Sequence, residues 1–474
     1  MNALAALDEI APRHGRAWVV GGAVRDSLLG RSRSGVDIDL AVDGDARGLA
    51  RELGRVAGGH AFQLSDEFGA WRVRAHDQAW QVDLTPLMGE TLEQDLGRRD
   101  LTINAIAREL GAGEGSPGAG GELIDPYGGL ADLQAGRLRG VGPESFSADP
   151  LRVLRLARMA AELGFRADAE TEMLAARAAP ALTDVAAERV FGELRLILGS
   201  DRPLEGLALA GRSGATAAVL PELDALHGIL QSDYHHLDVY DHTMAVLQAT
   251  VDLEHDPAGT FGELGPELVA VLAEPLANEM TRGQALRFGA LLHDIAKPLT
   301  RAVRDDGRPT FFDHDVRGAQ VVSEILTRLR ASDRLTTHVA ALTRHHLRLG
   351  FLVHERPLEP RTVYDYLATC EPVEVDVTVL SVADRLATRG RNSEPAVAAH
   401  LDLARELLRD ALDWRRRRPR PPLAGDELAR ALGIEPGPQL GRLLEELTVA
   451  AYAGEIQTDA EAVTHARALL ARER

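Results

Sequence analysis

Hydrophobic and polar positions change period once along the chain. Up to about residue 135 they alternate in short runs, RAWVV, GVDIDLAV, WRVRA and WQVDL, which predict strands separated by Gly-containing turns and short helices. From about 136 to 474 the apolar positions recur at helical spacing, in Ala- and Leu-rich stretches interrupted by Pro and Gly. The Gly-rich segment GAGEGSPGAGGE, 111 to 122, predicts a surface hairpin or loop, and WRRRRPRPP after residue 413 a linker or solvated helix end.

GVDIDLAV is unusual. Alternation sends Val36, Ile38, Leu40 and Val42 to one face and Asp37, Asp39 and Ala41 to the other, so a strand patterned for burial carries two carboxylates on one rim. An isolated Asp-x-Asp reads as a solvated strand face. Its surroundings point elsewhere. VVGGAVRDSLLG precedes it, a strand leading to Gly21 and Gly22 at the start of a short helix, where small residues let backbone N–H groups approach a phosphate and Arg25 adds charge. A phosphate-cradling turn followed by two carboxylates is what two-metal phosphoryl transfer requires, with Mg2+ ions ~4 Å apart. Asp83 in WQVDLTPL is a third carboxylate that a neighbouring strand can bring beside them, or a solvated strand Asp. In DLGRRDLTINAIA, Asn104 follows Asp100 by one turn of an expected helix and shares its face.

Composition narrows the class. The hydrophobic content of 45% suits a folded protein with a real core, and the single cysteine, Cys370, excludes an internal disulfide. No apolar run is long enough to span a membrane, and the N-terminus lacks the pattern of a signal peptide, so a cytoplasmic location is expected. A net charge of −19 argues against wholesale nucleic-acid binding, but arginines cluster at Arg98/Arg99, along Arg152/Arg155/Arg158 and at Arg415 to Arg418, where phosphate contacts are local. Lys297 is the only lysine.

The segments GGAVRD, DID, DLGRRDLTINA, DPYGGLADL, ADPLRVLRLARMAAELGF and ERVFGEL, in that order, resemble the motifs of the class II tRNA nucleotidyltransferase and bacterial poly(A) polymerase family. The resemblance covers residues 17 to about 200. It implies an α+β fold, with a polymerase-β-like head of small mixed sheet and helices followed by an all-α neck, and addition of nucleotides to an RNA 3′ end without a nucleic-acid template. Carried over by position, Asp37 and Asp39 hold Mg2+, Gly21, Gly22 and Arg25 serve the triphosphate, and Arg99, Asp100 and Asn104 contact sugar and phosphates.

The same resemblance makes Asp149 and Arg152 the readers of the incoming base, with Ala148 in place of the family's usual Glu. On sequence alone, Asp149 before Pro150 reads first as a helix N-cap, and it is the resemblance that favours base recognition. The chemistry of such a pair follows from its inventory: an ionised Asp only accepts hydrogen bonds and Arg only donates, so together they match an amino group beside an unprotonated ring nitrogen. Cytosine and adenine present that edge; guanine and uracil do not. CTP and ATP are the expected substrates, and tRNA the expected partner.

Downstream, HHLDVYDHT, LLHDIAKP, FFDHD, LTRHHLRLG and LSVADRL resemble the HD superfamily of metal-dependent phosphohydrolases. An ionisable pair such as His293-Asp294 within an apolar stretch is costly without a partner or a metal. By position the resemblance makes His242, His293, Asp294, His314, His345 or His346, and Asp384 ligands of a divalent transition metal such as Mn2+, Ni2+ or Fe2+, with Lys297 placed to meet a phosphate oxygen. The expected division is a head over 1–135, a neck over 136–205, an HD domain over 206–400 and an RNA-binding helical tail over 401–474.

The leading expectation is a tRNA 3′-end nucleotidyltransferase with an HD phosphohydrolase acting on phosphorylated or 2′,3′-cyclic ends. A poly(A) polymerase, a nucleotide-signalling hydrolase with an inactive head, and an RNA-binding scaffold are the alternatives. Enzymes of the family that add full CCA carry a flexible loop between the third-carboxylate strand and the RRD motif. Here only TPLMGETLEQDLG lies between Asp83 and Arg98, with Met88 where many relatives have Arg, so the expectation is CC addition followed by a separate A-adding enzyme.

Overall fold

The computed structural model describes residues 3–31, 36–111, 122–231, 237–388 and 393–472. The chain divides into two compact units, Met1–Val219 and Leu220–Arg474. Gly35 of the acidic motif, residues 112–121 of the Gly-rich segment, and His235 and His236 of HHLDVYDHT lie outside the described residues.

In the first unit, α1 (Ala3–Ile10), β1 (Gly15–Val20), α2 (Gly22–Leu28), β2 (Val36–Gly44), α3 (Ala46–Ala57), β3 (Gly59–Ser65), β4 (Ala70–Ala75), β5 (Trp80–Pro86), α4 (Leu92–Gly97), β6 (Ala107–Glu109), β7 (Leu123–Ile124) and α5 (Gly129–Ala135) follow in order. They form a seven-stranded sheet ordered β3-β4-β5-β2-β1-β6-β7. The β2–β5 pair is parallel, made possible by the crossover through α3 and the β3–β4 hairpin, and its register sets Asp39 opposite Asp83 and Asp37 opposite Gln81. The expected alternation holds: Ile38, Leu40 and Val42 are buried, while Asp37 and Asp39 are exposed on the other face. α3 buries Leu49 and Leu53 and packs on β3 and β4. On the carboxylate side, Trp18, Val20 and Ala41 meet Leu96 of α4 and Ala105, an apolar floor that carries the functional groups at its edge.

The segment DLGRRDLTINAIA departs from the continuous helix expected. α4 stops at Gly97, and after Arg98 to Leu101 a single 3-10 turn spans Thr102–Asn104. Asn104 still meets Asp100, through a turn in place of a helical face.

The neck belongs to the same unit. α6 (Arg152–Leu163), α7 (Ala169–Ala178), α8 (Ala187–Leu198) and α9 (Pro203–Arg212) pack together, with α6 against both α8 and α9. The expected 205/206 boundary falls inside α9. Gly206 explains why: a Cβ there would stand 2.8 Å from the Ala157 carbonyl oxygen and 2.8 Å from the Ala161 Cβ, so the bare backbone of α9 lies against α6.

The second unit is helical. Val239–His255, Arg282–Leu292, His314–Arg328, Asp333–His345 and Glu374–Ala387 are its main helices, and a buried ion pair between Arg282 and Asp376 ties the second of them to the last. The helix Ser393–Arg416 runs through the expected 400/401 boundary. Trp414 is buried, and Arg415 and Arg418 pair with Glu274 and Glu371, so the arginine run is an anchored helix end. Beyond it Leu428, Leu440, Leu443 and Leu447 form a separate small core. No helix among the described residues is long and apolar enough to cross a membrane.

Overpacking a tight helix contact costs about 1–3 kcal/mol. Gly206→Ala is therefore expected to lower the urea midpoint of unfolding, while Gly192→Ala, in α8 with nothing within 4 Å of the added carbon, leaves it unchanged or raises it slightly.

Candidate active site and metal centre

A cleft of about 840 Å3 in the first unit is lined by Asp39, Thr85, Met88, Arg98, Arg99 and Arg152 among others, and so gathers the β2 rim, the turn after α4 and the start of α6. Desolvation raises the Asp39 carboxyl above the ordinary range although its side chain stays open to the cleft, Arg99 pulls it back, and Asp37 and Asp83 push it further up. Oxygen donors crowded this way suit a hard divalent cation. Gly21 has φ +74, and a Cβ there would lie 2.9 Å from Nη1 of Arg99 and 3.5 Å from Oδ2 of Asp39. The turn is thus in contact with both groups, and only glycine leaves the space between them open.

The other expected contacts divide. Asp83 does stand beside Asp39, yet both its oxygens are taken by Arg72 of β4, at 2.7 Å from Nε and 2.6 Å from Nη2. It is the anchor of an arginine fork, in place of the open third carboxylate expected. Arg25 is buried against the turn at Gly22, and donates to Asp26 at 2.8 Å and to Oδ1 of Asn104 at 2.7 Å, so it orients Asn104; it does not line the cleft itself. Asn104 in turn donates to Asp100, which also accepts from the Leu101 N–H and from Arg155. Burial alone would raise Asp100; Arg155 and these hydrogen bonds hold it below the ordinary carboxylate range. Arg155 and Arg158, expected at phosphates, instead bracket Glu193 of α8 at 3.5 and 3.2 Å and do not line the cleft.

Asp149 and Arg152 do not pair with each other. Asp149 accepts from the Leu151 N–H at 3.2 Å, which shapes the turn into α6, and from Arg189 of α8 at 2.7 Å. Arg152 donates to the carbonyls of Ser145 and Arg98, both at 2.8 Å, and lines the cleft, whereas Asp149 does not.

In the second unit the sequence-predicted residues converge, with one exception. Asp294 is buried, and Nε2 of His242, His293, His314 and His346 lie 3.7, 3.1, 3.3 and 3.8 Å from its oxygens. Asp384 meets His242 at 3.0 Å, and Lys297 meets Asp294 at 2.7 Å and Gln231 at 2.5 Å. His345 points elsewhere: it accepts from Arg348, and burial and the adjacent arginines lower it to about 4. The dipeptide His293-Asp294 sits just past the helix Arg282–Leu292, where the turn frees both side chains to point inward.

Tautomers follow from the outer nitrogens. Nδ1 of His293, His314 and His346 face the carbonyls of Ala290, Phe311 and Thr343 at 2.9, 2.6 and 2.7 Å, so each holds a proton on that nitrogen. Burial and the neighbouring His293 lower His346 to about 4, so it is neutral and turns a lone pair toward a carboxylate. Burial would raise Asp294, but His293 and Lys297 hold it well below the ordinary range. Burial would lower His293, but Asp294 raises it, whereas the lone pair of His346 facing an ionised carboxylate is repelled unless a cation lies between them; the donor set, imidazole with carboxylate, suits a transition metal. His242, His293 and Asp294, and again Asp294, His314 and His346, form groups whose donor atoms lie within 4.8 Å of one another.

Residues 17–139 match the poly A polymerase head domain, 164–226 the probable RNA and SrmB-binding site of polymerase A, and 239–389 the HD domain. The A-adding tRNA nucleotidyltransferase of Deinococcus radiodurans is 35% identical over 94% of both chains. The CC-adding tRNA nucleotidyltransferase of Thermus thermophilus is 34% identical, covering 94% of this chain and 92% of that one. The chain belongs to the tRNA nucleotidyltransferase family. The Thermotoga maritima CCA-adding enzyme complexed with tRNA-CCA shares the fold at TM-score 0.61 and 22% identity, over 99% of this chain and 94% of that one.

For this nucleotidyltransferase, sequence reasoning missed Arg72, Arg189 and Gln231. Arg72 carried a signal: WRVRA and WQVDL are adjacent strand patterns, and antiparallel pairing sets Arg72 opposite Asp83. Arg189 lies in the quoted ERVFGEL. Gln231 carried none.

His346→Ala is expected to reduce the divalent metal retained by the purified tRNA nucleotidyltransferase, read by elemental analysis, while His345→Ala leaves it unchanged. Equal losses would contradict the assignment of ligands.

Proposed function

We propose that this enzyme adds CMP from CTP to the tRNA 3′ end and stops after two cytidines, leaving the terminal A to a separate A-adding enzyme. The observation that carries this reading is how tightly the stretch after β5 is tied. The Leu87 N–H donates to the Val42 carbonyl at 3.0 Å, the Met88 N–H to Oδ1 of Asp95 at 3.0 Å, and the Glu90 N–H to Oε1 of Gln94 at 2.8 Å. Thr91 then caps α4. A base pocket remodelled from C to A needs a segment that moves, and this one has its N–H groups committed at positions 87, 88 and 90.

The chain's own residues divide the work. Asp37 and Asp39 hold divalent cations which, when bound, stabilise the charge that develops during displacement at the α-phosphorus. Gly21 lets the triphosphate approach the strand-to-helix turn, and Arg99, reaching the same space, offsets its charge. Arg152 commits two donors to backbone carbonyls and keeps others of its five for a base edge. Asp149, oriented by Arg189, has acceptor capacity left for an exocyclic amine. The base selected is then the one with an amino donor beside an unprotonated nitrogen, and pocket width favours the pyrimidine.

For the HD cluster we infer hydrolysis of a phosphomonoester or 2′,3′-cyclic phosphate at an RNA end. His242, His293, Asp294, His314 and His346 would hold a divalent metal, which would supply an activated water there. Lys297 is placed to hold a phosphate oxygen. Addition of A is the second reading, favoured by the relative at 35% identity.

Incubating the protein with tRNA transcripts ending at the discriminator base, at C and at CC, each with single NTPs, decides between them. Two cytidines added to the first transcript and no A to the third is the expected result; A addition at a rate comparable to C addition would overturn it. Asp37→Ala and Asp39→Ala are each expected to lower addition by 10³-fold or more, on the order of 4 kcal/mol in the barrier, with metal-dependent phosphatase activity retained. His293→Ala is expected to do the reverse, and loss of both activities in one variant would show that the sites are not independent.

A further inference from the structure

Three side chains stand in one rung across the sheet of the first unit. Parallel pairing sets Asp39 of β2 opposite Asp83 of β5, and antiparallel pairing sets Asp83 opposite Arg72 of β4. Residues paired in register share a face, and neighbouring strands lie about 4.8 Å apart. The rung therefore reads carboxylate, carboxylate, guanidinium on the face that also carries Asp37. Asp83 is near enough to Asp39 to join the ligands of a cation held there, yet it is tied the other way: Nε and Nη2 of Arg72 donate to its two oxygens at 2.7 and 2.6 Å.

Burial does not call for this pairing. The side chains of Arg72 and Asp83 keep 29% and 19% of their exposure, so water reaches either group. The Arg282–Asp376 pair of the second unit is buried, and there a lone charge would be stranded. The fork also acts beyond its own partner. Hydrogen bonding to Asp83 raises the Arg72 guanidinium above its ordinary range, and the charges of Asp83, Asp37 and Asp39 add to the effect. Three carboxylates against one guanidinium leave this rim at −2, the complement of one divalent cation; without Arg72 it would stand at −3. Arg99 does not enter that count, since its Nη2 lies 3.7 Å from Asp95. Mg2+ demands a near-ideal octahedral shell of oxygens, and each position that a protein carboxylate fills is lost to substrate.

We propose that Arg72 is a positioning residue for nucleotide addition: by forking onto Asp83 it keeps that carboxylate from ligating and cancels its charge, so that Asp37 and Asp39 alone hold the cations and the remaining coordination positions stay open to the triphosphate and the RNA hydroxyl. This rests on the reading that Asp37 and Asp39 hold divalent cations. Arg72 touches neither cation nor substrate and acts through Asp83.

The test reads cation occupancy at the site itself. Fe2+ with ascorbate and peroxide cuts the backbone beside a bound ion, and fragment length separates a cut near Asp39 from one near Asp294. With CTP present and tRNA absent, the Fe2+ concentration for half-maximal cutting near Asp39 is compared in the full-length wild type and its variants. Arg72→Gln is expected to lower it about ten-fold and Asp83→Asn to raise it about ten-fold, because each changes by one unit the charge beside a divalent ion in a solvated cleft. The double variant, with both charges gone, is expected to return to the wild-type value. The Mg2+ concentration for half-maximal CMP addition follows the same order. Misfolding would weaken occupancy in every variant, so the opposite signs are diagnostic. A double variant that binds as weakly as Asp83→Asn would make Asp83 a ligand, and shifts of one sign in both single variants would make the fork a structural tie. Either result, or no shift in any variant, would overturn the proposal. A wild type that is not cut near Asp39 would sink the reading of Asp37 and Asp39 as ligands, and the proposal with it. Wild-type cutting that Asp39→Asn abolishes keeps that reading and leaves the variants at Arg72 and Asp83 to decide.

Discussion

The transferase unit is organised around one carboxylate that stays ionised while buried. Asp100 is 4% exposed and accepts from the Leu101 N–H, Asn104 and Arg155. Removing one partner from such a group costs about 3–5 kcal/mol, because the remaining charge is stranded in the protein. That penalty fixes several elements together. Through Asn104 the carboxylate reaches Arg25 of α2, and through Arg155 it reaches α6 and, by Glu193, α8. The turn before the 3-10 segment is thereby held against the neck, and Arg99, adjacent to Asp100, is left facing the cleft and Gly21. The groups that face the cleft are those the internal network does not consume.

Asp294 occupies the corresponding place in the second unit with the opposite outcome. Its neighbours are four imidazoles and one ammonium, where those of Asp100 include an arginine. Arginine keeps its proton in any protein environment, so an Asp–Arg contact closes on itself. Histidine does not: in His346, with Nδ1–H spent on a backbone carbonyl and burial disfavouring a second proton, the inner nitrogen is a lone pair. The same buried carboxylate is then structural in one unit and a cation-seeking centre in the other. What differs is the titration chemistry of the residues around it.

These differences set what was legible in the sequence. The period-two alternation of GVDIDLAV gave the faces of β2 correctly, because a strand buried on one side leaves the chain little freedom of register. Which carboxylate stays open was legible only in part: the adjacent patterns WRVRA and WQVDL suggest a strand pair, but the register by which Arg72 claims Asp83 appears only in the folded sheet. Arg25 looked available because its partner Asn104 is remote in sequence. His345 and His346 are adjacent, and the helix Asp333–His345 ends between them, so only the conformation at that end decides which one turns inward. The 205/206 boundary was invisible for a similar reason: Pro203 reads as a helix start, and what ties α9 to the neck is the missing Cβ of Gly206.

The solitary lysine can be understood in the same terms. Nζ of Lys297 lies 2.7 Å from Oδ2 of Asp294 and 2.5 Å from Oε1 of Gln231, in a side chain that is almost fully buried. An arginine at this position would present a planar fork, and its natural contact with a carboxylate is bidentate, as Arg72 makes with Asp83. Such a contact would take both oxygens of Asp294, yet His314 and His346 approach Oδ1 while His242 and His293 approach Oδ2. A compact ammonium touches one oxygen only and leaves the other to the imidazoles. It also retains a donor that can swing toward a phosphate, which a guanidinium locked in a fork would not. In a protein that otherwise uses arginine for every cation, the point charge is kept where a fork would close the site.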